Sequence, residues 1–488
     1  MDLISGFPKN LSYSLKKLEN FTKLTCKCMP DRTNPNLGEV SRFRLPPSAL
    51  IDFRTISIYA DVYLYNNAGT GAANYNLHLP RNTSSLIQQM TVTCNGVQLA
   101  NINDYNLLFN TLYDIEGADY SQTSKRLLEN PDPSVYYSQG ISTSNNTPIA
   151  VCNAQDGSIT TNIENGRPIV INNFIGILSS LSTPVLDLSD TGDIYLEIRW
   201  ASPSVCWGTT NAAGTTSFTT TTNCYLNNLR LTCAKINFED SEYYSLKSKK
   251  LLSDEGLLVG YYDYFTSRGT AVQKSAGVNI NFNVNTNSLD QCIATFQKND
   301  YNTIKNLVLH NSSSTTMANL ITFNGYLNSQ ITNSDTAAGG AIGDGFNNSY
   351  YFMRPAIDLA TSQWSINSTN IDPYPLPPSE IWNQNLIAIG NANLDYGTAG
   401  VHPGCLSLWL FLKYYFCHIL SLENLSGDSL MWRSGLNGNG ATVNVNYQAT
   451  FNTYGTGAIT NTETISPVIF CRSTKVMQIR DGHIISVV

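Results

Sequence analysis

Asp193 and Glu197 are the two carboxylates whose types and spacing come nearest to paired acid–base chemistry. They share one face of a strand pattern, yet four residues of strand set them ~13 Å apart. Glycoside hydrolysis needs carboxyl groups about 5–9.5 Å apart. Arg199 beside Glu197 fits a solvated or cross-strand ion pair instead. Asp254 and Glu255 are adjacent, in a charged segment rather than around a cleft. The five histidines, His78, His310, His402, His418 and His483, stand alone, and His418 among apolar neighbours reads as a hydrogen-bonded core residue. The eleven cysteines are scattered, with no Cys-x-x-Cys and no zinc spacing. Cys26-Lys27-Cys28 is the one close pair and reads as two unrelated thiols. HExxH, GxxxxGK[ST], the EF-hand loop and GxSxG are all missing. The sequence therefore nominates no catalytic residue, no cofactor-binding residue, no metal ligand and no cofactor, and the chain is read as not an enzyme.

The composition narrows the class. The chain has 488 residues, more than one ordinary core and enough for two or three. Charged residues are 13%, against ~25% in a typical domain. The surface must then be largely neutral polar. With a formal charge of −7, the chain is a poor candidate for wrapping nucleic acid over its whole surface. The first ten residues lack the apolar run of a secretory signal. The longest apolar stretch, Cys405–Leu422, is interrupted by Lys413 and His418, and reads as buried strand or core helix, not a membrane span. Several cysteines fall in phase with buried strand positions, where a free thiol acts as a small hydrophobe, so folding in a reducing compartment is expected.

The elements follow from periodicity. Leu86–Ile115 carries the clearest local signal. Met90, Val92 and Cys94 alternate with threonines, Asn95-Gly96 supplies a tight hairpin turn, and Val97 and Leu99 resume the alternation. Asn103 or Asp104 can cap a helix whose apolar stripe is Tyr105, Leu108, Phe109 and Leu112. Strands are also expected at Ile56–Leu64, Pro168–Ile177, Asp193–Trp200, Leu229–Phe238, Val278–Asn285, Cys292–Phe296, Ile304–Leu309 and Val443–Phe451, with a terminal hairpin around Asp481-Gly482. In Val278–Asn285 every second residue is asparagine. Leu320–Leu327 holds a further turn, Asn324-Gly325, and Glu380–Ile389 a short helix. Polar loops fill Ser138–Gly166, Gly208–Asn223, Asn311–Thr316, Asn328–Asn348 and Asn391–Ala399. Asn-x-Ser/Thr sequons at Asn82, Asn311 and Asn424 are what chance yields in so Asn-rich a chain. Many strands separated by turns, with few helices, mean sandwich or barrel domains. The expected organisation is an arm over residues 1–36, a first sandwich over 37–240, a charged linker over 241–256 and a second sandwich over 257–488. The arm carries Lys9, Lys16, Lys17, Lys23 and Lys27 and a possible amphipathic helix through Leu11, Leu15 and Leu18. It reads either as a packing arm or as a contact for nucleic acid or an anionic lipid face.

Four stretches together resemble a known family. They are LIQQMTVTCNGVQLANINDYNLLFNTL, VNINFNVNTNSLDQCIATFQ, SQWSINSTNIDPYPLPPSEIW and MWRSGLNGNGATVNVNYQATF with the terminal hairpin. Their order and spacing are similar to the double jelly-roll major capsid proteins of tailless icosahedral double-stranded DNA viruses, closest to virophages and polinton-like viruses. Asn367-Ser368 departs from the family pattern, where an Asn-Gly turn is expected.

The resemblance implies an all-β fold of two tandem eight-stranded jelly-roll sandwiches with short helices and long loops. It implies a structural role in the virion. Three chains would form a pseudo-hexameric capsomer that tiles the shell beside neighbouring capsomers, pentons and minor capsid proteins. The lysine-bearing arm would face an internal membrane or genome. The competing reading is a tandem β-sandwich module that binds a glycan or receptor, with loop aromatics such as Trp207 and Tyr454 stacking on sugars.

Overall fold

The computed structural model describes residues 21–47, 49–66, 75–78, 80, 83–116, 167–189, 191–205, 207–210, 222–238, 241–253, 256–302, 306–309, 331–333, 350–388, 408, 411–412, 415–423, 435–438, 442–452, 463–480 and 483–487. The first twenty residues of the arm, the Asn324-Gly325 turn, the three sequons, Tyr454 and most of the expected polar loops lie outside them.

The first half contributes β1 (Phe21–Cys28), β2 (Val40–Arg44), β3 (Leu50–Asn66), β4 (Tyr75–His78), β5 (Ile87–Cys94), β6 (Val97–Asn103), β7 (Arg167–Ile171), β8 (Val185–Asp187), β9 (Ile194–Trp200), β10 (Trp207–Thr210) and β11 (Thr222–Phe238). The second contributes β12 (Leu257–Arg268), β13 (Val272–Gln273), β14 (Val278–Asn285), β15 (Ser288–Lys298), β16 (Asn306–Leu309), β17 (Ile331–Asn333), β18 (Leu359–Ile366), β19 (Thr369–Asn370), β20 (His418–Ser421), β21 (Leu436–Asn437), β22 (Thr442–Phe451), β23 (Thr464–Arg480) and β24 (His483–Val487). The helices are α1 (Tyr105–Glu116), α2 (Ile177–Ser180), α3 (Ser241–Leu251) and α4 (Pro378–Ala388). No helix among the described residues is long and apolar enough to cross a membrane.

Two sheets face each other in each half. In the first they run β1-β11-β3-β7 and β2-β9-β5-β6; in the second, β12-β23-β15-β20 and β14-β22-β18-β19. The eight principal strands of either half interleave identically. One sheet takes the first, eighth, third and sixth strand, and the other the second, seventh, fourth and fifth. The short sheet β17-β16-β10-β4 joins the halves, with β10 parallel to β16. This is the double jelly roll expected from the sequence.

Alternation decides which side of each strand is buried. On β3, Ile56, Ile58, Ala60 and Val62 are buried while Ser57, Tyr59 and Asp61 lie half out. β9 alternates strictly from Ile194 to Trp200, and the Trp200 indole donates to Ser41 Oγ at 3.0 Å. The second core is aromatic: Phe296 stacks on Phe416 at 5.1 Å, and Trp364 meets Tyr447 at 4.6 Å. On β14 the asparagines all point outward while Val278, Ile280 and Val284 point in.

Four expectations change. Phe21–Cys28, placed in the arm, is the first strand of the first sandwich. It pairs with β11 from Phe21↔Phe238 to Cys28↔Leu231, and Lys23 reaches Asp52 at 3.4 Å. It is an edge strand with Leu24 exposed, so its apolar alternation is faint and its lysines, which guard the edge, read as an arm. The strand expected to reach Ile177 ends at Ile171 and gives way to α2. The charged linker holds α3, whose Lys247 ion-pairs with Asp187 on the first sandwich. Asp104 does not cap α1 with its carboxylate, which instead accepts from Gln88 Nε2 at 3.0 Å, and α1 buries Asn106, Asn110 and Thr111 as well as its apolar stripe.

The turn between the fourth and fifth strand illustrates the repeat. Asn95 and Gly96 have φ of 48° and 83° between β5 and β6. Asn367 and Ser368, at the equivalent turn between β18 and β19, have φ of 49° and 66°. Asn367-Ser368 thus keeps the two-residue turn of positive φ without glycine and places a Cβ where glycine is favoured. Ser368→Gly is expected to stabilise the chain by about 0.5–1 kcal/mol and Gly96→Ser to destabilise it by ~1 kcal/mol, read from urea unfolding midpoints.

Candidate functional site

Among the described residues the candidates for chemistry are dispersed; Asp254 and Glu255 lie outside them. Asp193 is held by Arg44, whose Nη2 lies 2.9 Å from each carboxylate oxygen, across β2 and β9. Arg42 stands opposite Glu197 in the register and stacks over the Tyr195 ring at 4.0 Å. His418 is fully buried between Ser362 Oγ (2.8 Å from Nδ1) and Gln384 Oε1 (2.8 Å from Nε2), and burial depresses its pKa to about 3. His483 is exposed on β24; His310 and His402 lie outside the described residues. Cys28, Cys94, Cys233, Cys292, Cys417 and Cys471 are free and buried. Burial pushes the Cys94 thiol up to about 11 and the Cys417 thiol up to about 12, away from thiolate chemistry. Asp290 is enclosed by Ser288 Oγ (2.7 Å), Thr474 Oγ1 (2.7 Å) and the Gly435 N–H (3.2 Å), while Arg472 pairs with Glu423 at 2.6 Å. Gly435 has a physical role here: a Cβ on it would stand 1.9 Å from the Leu289 carbonyl oxygen. Among the described residues no group of three or more His, Cys, Asp or Glu side chains could hold a metal.

What the fold does bring together is a seam between the sandwiches. β6 ends its sheet, so its outer backbone groups have no strand partner. Side chains of β12 take that place. Tyr261 Oη donates to the Leu99 carbonyl at 2.7 Å and Thr266 Oγ1 donates to the Asn103 carbonyl at 2.8 Å. Leu99 and Asn103 are in phase along one strand edge. The first sandwich returns the favour at the free edge of β12. Ser182 N–H donates to the Gly260 carbonyl at 2.8 Å, and Ser182 Oγ and Ser180 Oγ accept from the amides of Gly260 and Tyr262. Two open edges are therefore closed by side chains instead of by a continuous ladder, that of β6 by β12 and that of β12 by the α2 segment.

Charge fixes the ends of the seam. Asp263 is buried with Lys475 Nζ at 2.6 Å; burial raises its pKa, and the ammonium pulls the other way. Arg268 reaches Asp104 at 3.1 Å, donates to Gln297 at 2.8 Å and stacks over Tyr301. Gln88 receives hydrogen bonds from Tyr351 Oη (3.2 Å) and Asn106 Nδ2 (3.3 Å). Ser204 Oγ donates to Asn302 Oδ1 at 2.7 Å. The sequence reading did not single out Leu257–Arg268. Its signal was an aspartate inside the apolar, aromatic run LLVGYYDYF, a residue type that is buried only when partnered. The geometry offers a fixed mutual orientation of two sandwiches.

Two outcomes test this geometry. Asp263→Ala strips Lys475 of its buried partner, and is expected to destabilise the chain by about 3–5 kcal/mol, whereas Tyr261→Phe, which loses one neutral hydrogen bond, is expected to cost ~1 kcal/mol. Both are read from urea unfolding at neutral pH. The depressed pKa of His418 gives a sign as well: the unfolded chain takes up its proton below about 6.5 while the folded chain does not until about 3. The stability it confers is whole above pH 6.5 and drains away as pH falls towards 3, by ~2 kcal/mol at pH 5. The unfolding midpoint of the His418→Gln variant should accordingly fall less than that of the unaltered chain between pH 6.5 and 5.

No protein-family model matches this chain, and no curated protein matches it. Solved structures do. The VP54 protein of PBCV-1, fitted into a reconstruction of the virophage Sputnik, is similar at 13% identity with a TM-score of 0.53, covering 95% of this chain and 96% of that one. A chain of the PBCV-1 capsid model is similar at 12% identity with a TM-score of 0.52, covering 95% of each. At such identity the likeness is one of fold, and the fold of this chain is the double jelly roll found in viral major capsid proteins.

Proposed function

We propose that this chain is a non-enzymatic structural subunit of an icosahedral virion, a major capsid protein whose three copies close into a pseudo-hexagonal capsomer. The observation that carries the reading is the repeated strand plan locked at the β6–β12 seam. Two equivalent sandwiches held in one orientation give three chains six similar walls. A head-to-tail contact then closes as a ring, and the rings tile a surface. Full-length similarity to the PBCV-1 protein supports the same reading. On it, no side chain is assigned to catalysis or to a cofactor.

The finer parts belong to the same proposal. The division of the chain falls at 241–256, the junction that holds α3. Neighbouring capsomers, pentons and minor capsid proteins are the further partners. The arm before β1 supplies basic contacts to the genome or to a membrane beneath the shell. The chain folds in the reducing interior of a host cell, which suits its buried free thiols. Size-exclusion chromatography with light scattering tests the reading. The expected mass is about three times 53.7 kDa, with ring-shaped particles in negative stain. A monomer that binds a discrete sugar on a glycan array would overturn it in favour of a recognition module.

A further inference from the structure

Among the described residues, the outward face of β14 and β22 is unlike the matching face of the first sandwich. On β14, Asn279, Asn281 and Asn283 project outward, and β22 answers with Asn444 and Asn446. Asn444 Nδ2 donates to Asn283 Oδ1 at 2.7 Å, and Asn446 Nδ2 reaches Asn279 Oδ1 at 2.8 Å and also Asn281. The outward residues of β18 and the rest of β22 are threonine, serine and glutamine, and Thr361 bonds Thr450 at 2.8 Å. The described outward residues of β14, β22 and β18 include no charge. The equivalent wall of the first sandwich carries Arg42, Arg44, Glu197 and Arg199. The two walls share one strand plan and differ in chemistry alone.

The edge of this wall is also unguarded. Edge strands that remain in water are blunted by lysine, proline or charge. β1 carries Lys23 and Lys27, and β2 carries Arg42 and Arg44. β14, eight residues long and at the end of its sheet, has neither charge nor proline. An edge left so open calls for a cover in the working assembly.

We infer that the amide wall of β14 and β22 is a contact surface for the same wall on a second copy of this chain, related by a two-fold axis, in a neighbouring ring. This rests on the capsid reading and adds to it which wall meets which. Each carboxamide has two donors and an acceptor oxygen with two lone pairs. The ladder uses part of that capacity, and the remainder presents donors and acceptors together. Such a surface is complementary to itself. It carries no net charge to repel its twin and buries no ion on contact, in keeping with the loss of charged residues from interface centres. The charged wall lacks this property: its Arg42, Arg199 and Glu197, beside the Arg44–Asp193 pair, would have to shed hydration on contact.

Paired charge variants of the full chain provide the test. N281K/N446K and N281D/N446D are each expected to form trimers of unaltered mass. Association of purified trimers into larger species, followed by light scattering against concentration, should fall at least tenfold for either variant alone. A one-to-one mixture of the two should recover it, because lysine then faces aspartate. Trimers of either variant that associate as the unaltered chain does would overturn the inference, as would a mixture that stays dissociated. If a variant fails to trimerise, hydrogen exchange on the unaltered chain decides: protection of the β14 amides on association supports the wall contact, and unchanged exchange there overturns it. Binding of a sugar to this wall on a glycan array, abolished by N281K/N446K, would assign it to another ligand and overturn the inference. An unaltered chain that never exceeds a monomer would bring down the capsid reading itself, which separates the two failures.

Discussion

An unpaired sheet edge is the constraint on which the arrangement turns. A strand at the end of a sheet shows water a row of amides and carbonyls, and when a second body covers that row each group must find a partner. The edges of β6 and β12 are each closed by side chains. Tyr261 and Thr266 of β12 occupy places a further strand would have taken beside β6, and Ser180 and Ser182 do the same for β12. Each bond is directional and worth on the order of 1 kcal/mol, so their value lies in register more than in summed energy. Sliding one sandwich along the other by a residue would turn every one of these groups away from its partner.

The two halves share a plan without sharing chemistry. In each, the fourth and fifth strand turn through two residues of positive φ, and a helix follows the fifth strand. In each, the third strand shifts register near a buried aspartate: Asp52 with Arg54 and Lys23, and Asp290 with Ser288 and Thr474. The first core is largely aliphatic around Trp200, and the second is built on stacked aromatics. Strand order follows from backbone pairing, whereas side-chain identity is free wherever volume and polarity are met. That freedom lets one wall be charged and its counterpart neutral on the same frame.

Much of this was legible in the residues. Period-two alternation located β5, β9, β14 and β22, because a strand with one wet face must alternate; on β6 it placed the strand, but Val97 is exposed and Leu99 and Ala100 are both buried. On β15 it marked Cys292–Phe296 but not the full extent, because both faces of the first ten residues are buried, and it was faint on the lysine-bearing edge β1. His418 was read as a bonded core histidine, and it is one, because an unpartnered imidazole is costly among apolar neighbours. The seam was not legible. Its members come from β6, α1, the α2 region, β12 and the turn at Tyr351, up to 263 positions apart, and no local pattern records a contact across that separation.

By itself, then, the sequence determined the class of fold, the alternating faces and the tight turns, since these depend on neighbours within a few residues. Tertiary structure alone decided that Phe21–Cys28 completes the first sandwich, that Asp263 is buried against Lys475, and that two sheet edges are closed by side chains. Those outcomes depend on which distant backbone groups remain unpaired after the sheets have formed, and that is a property of the folded chain.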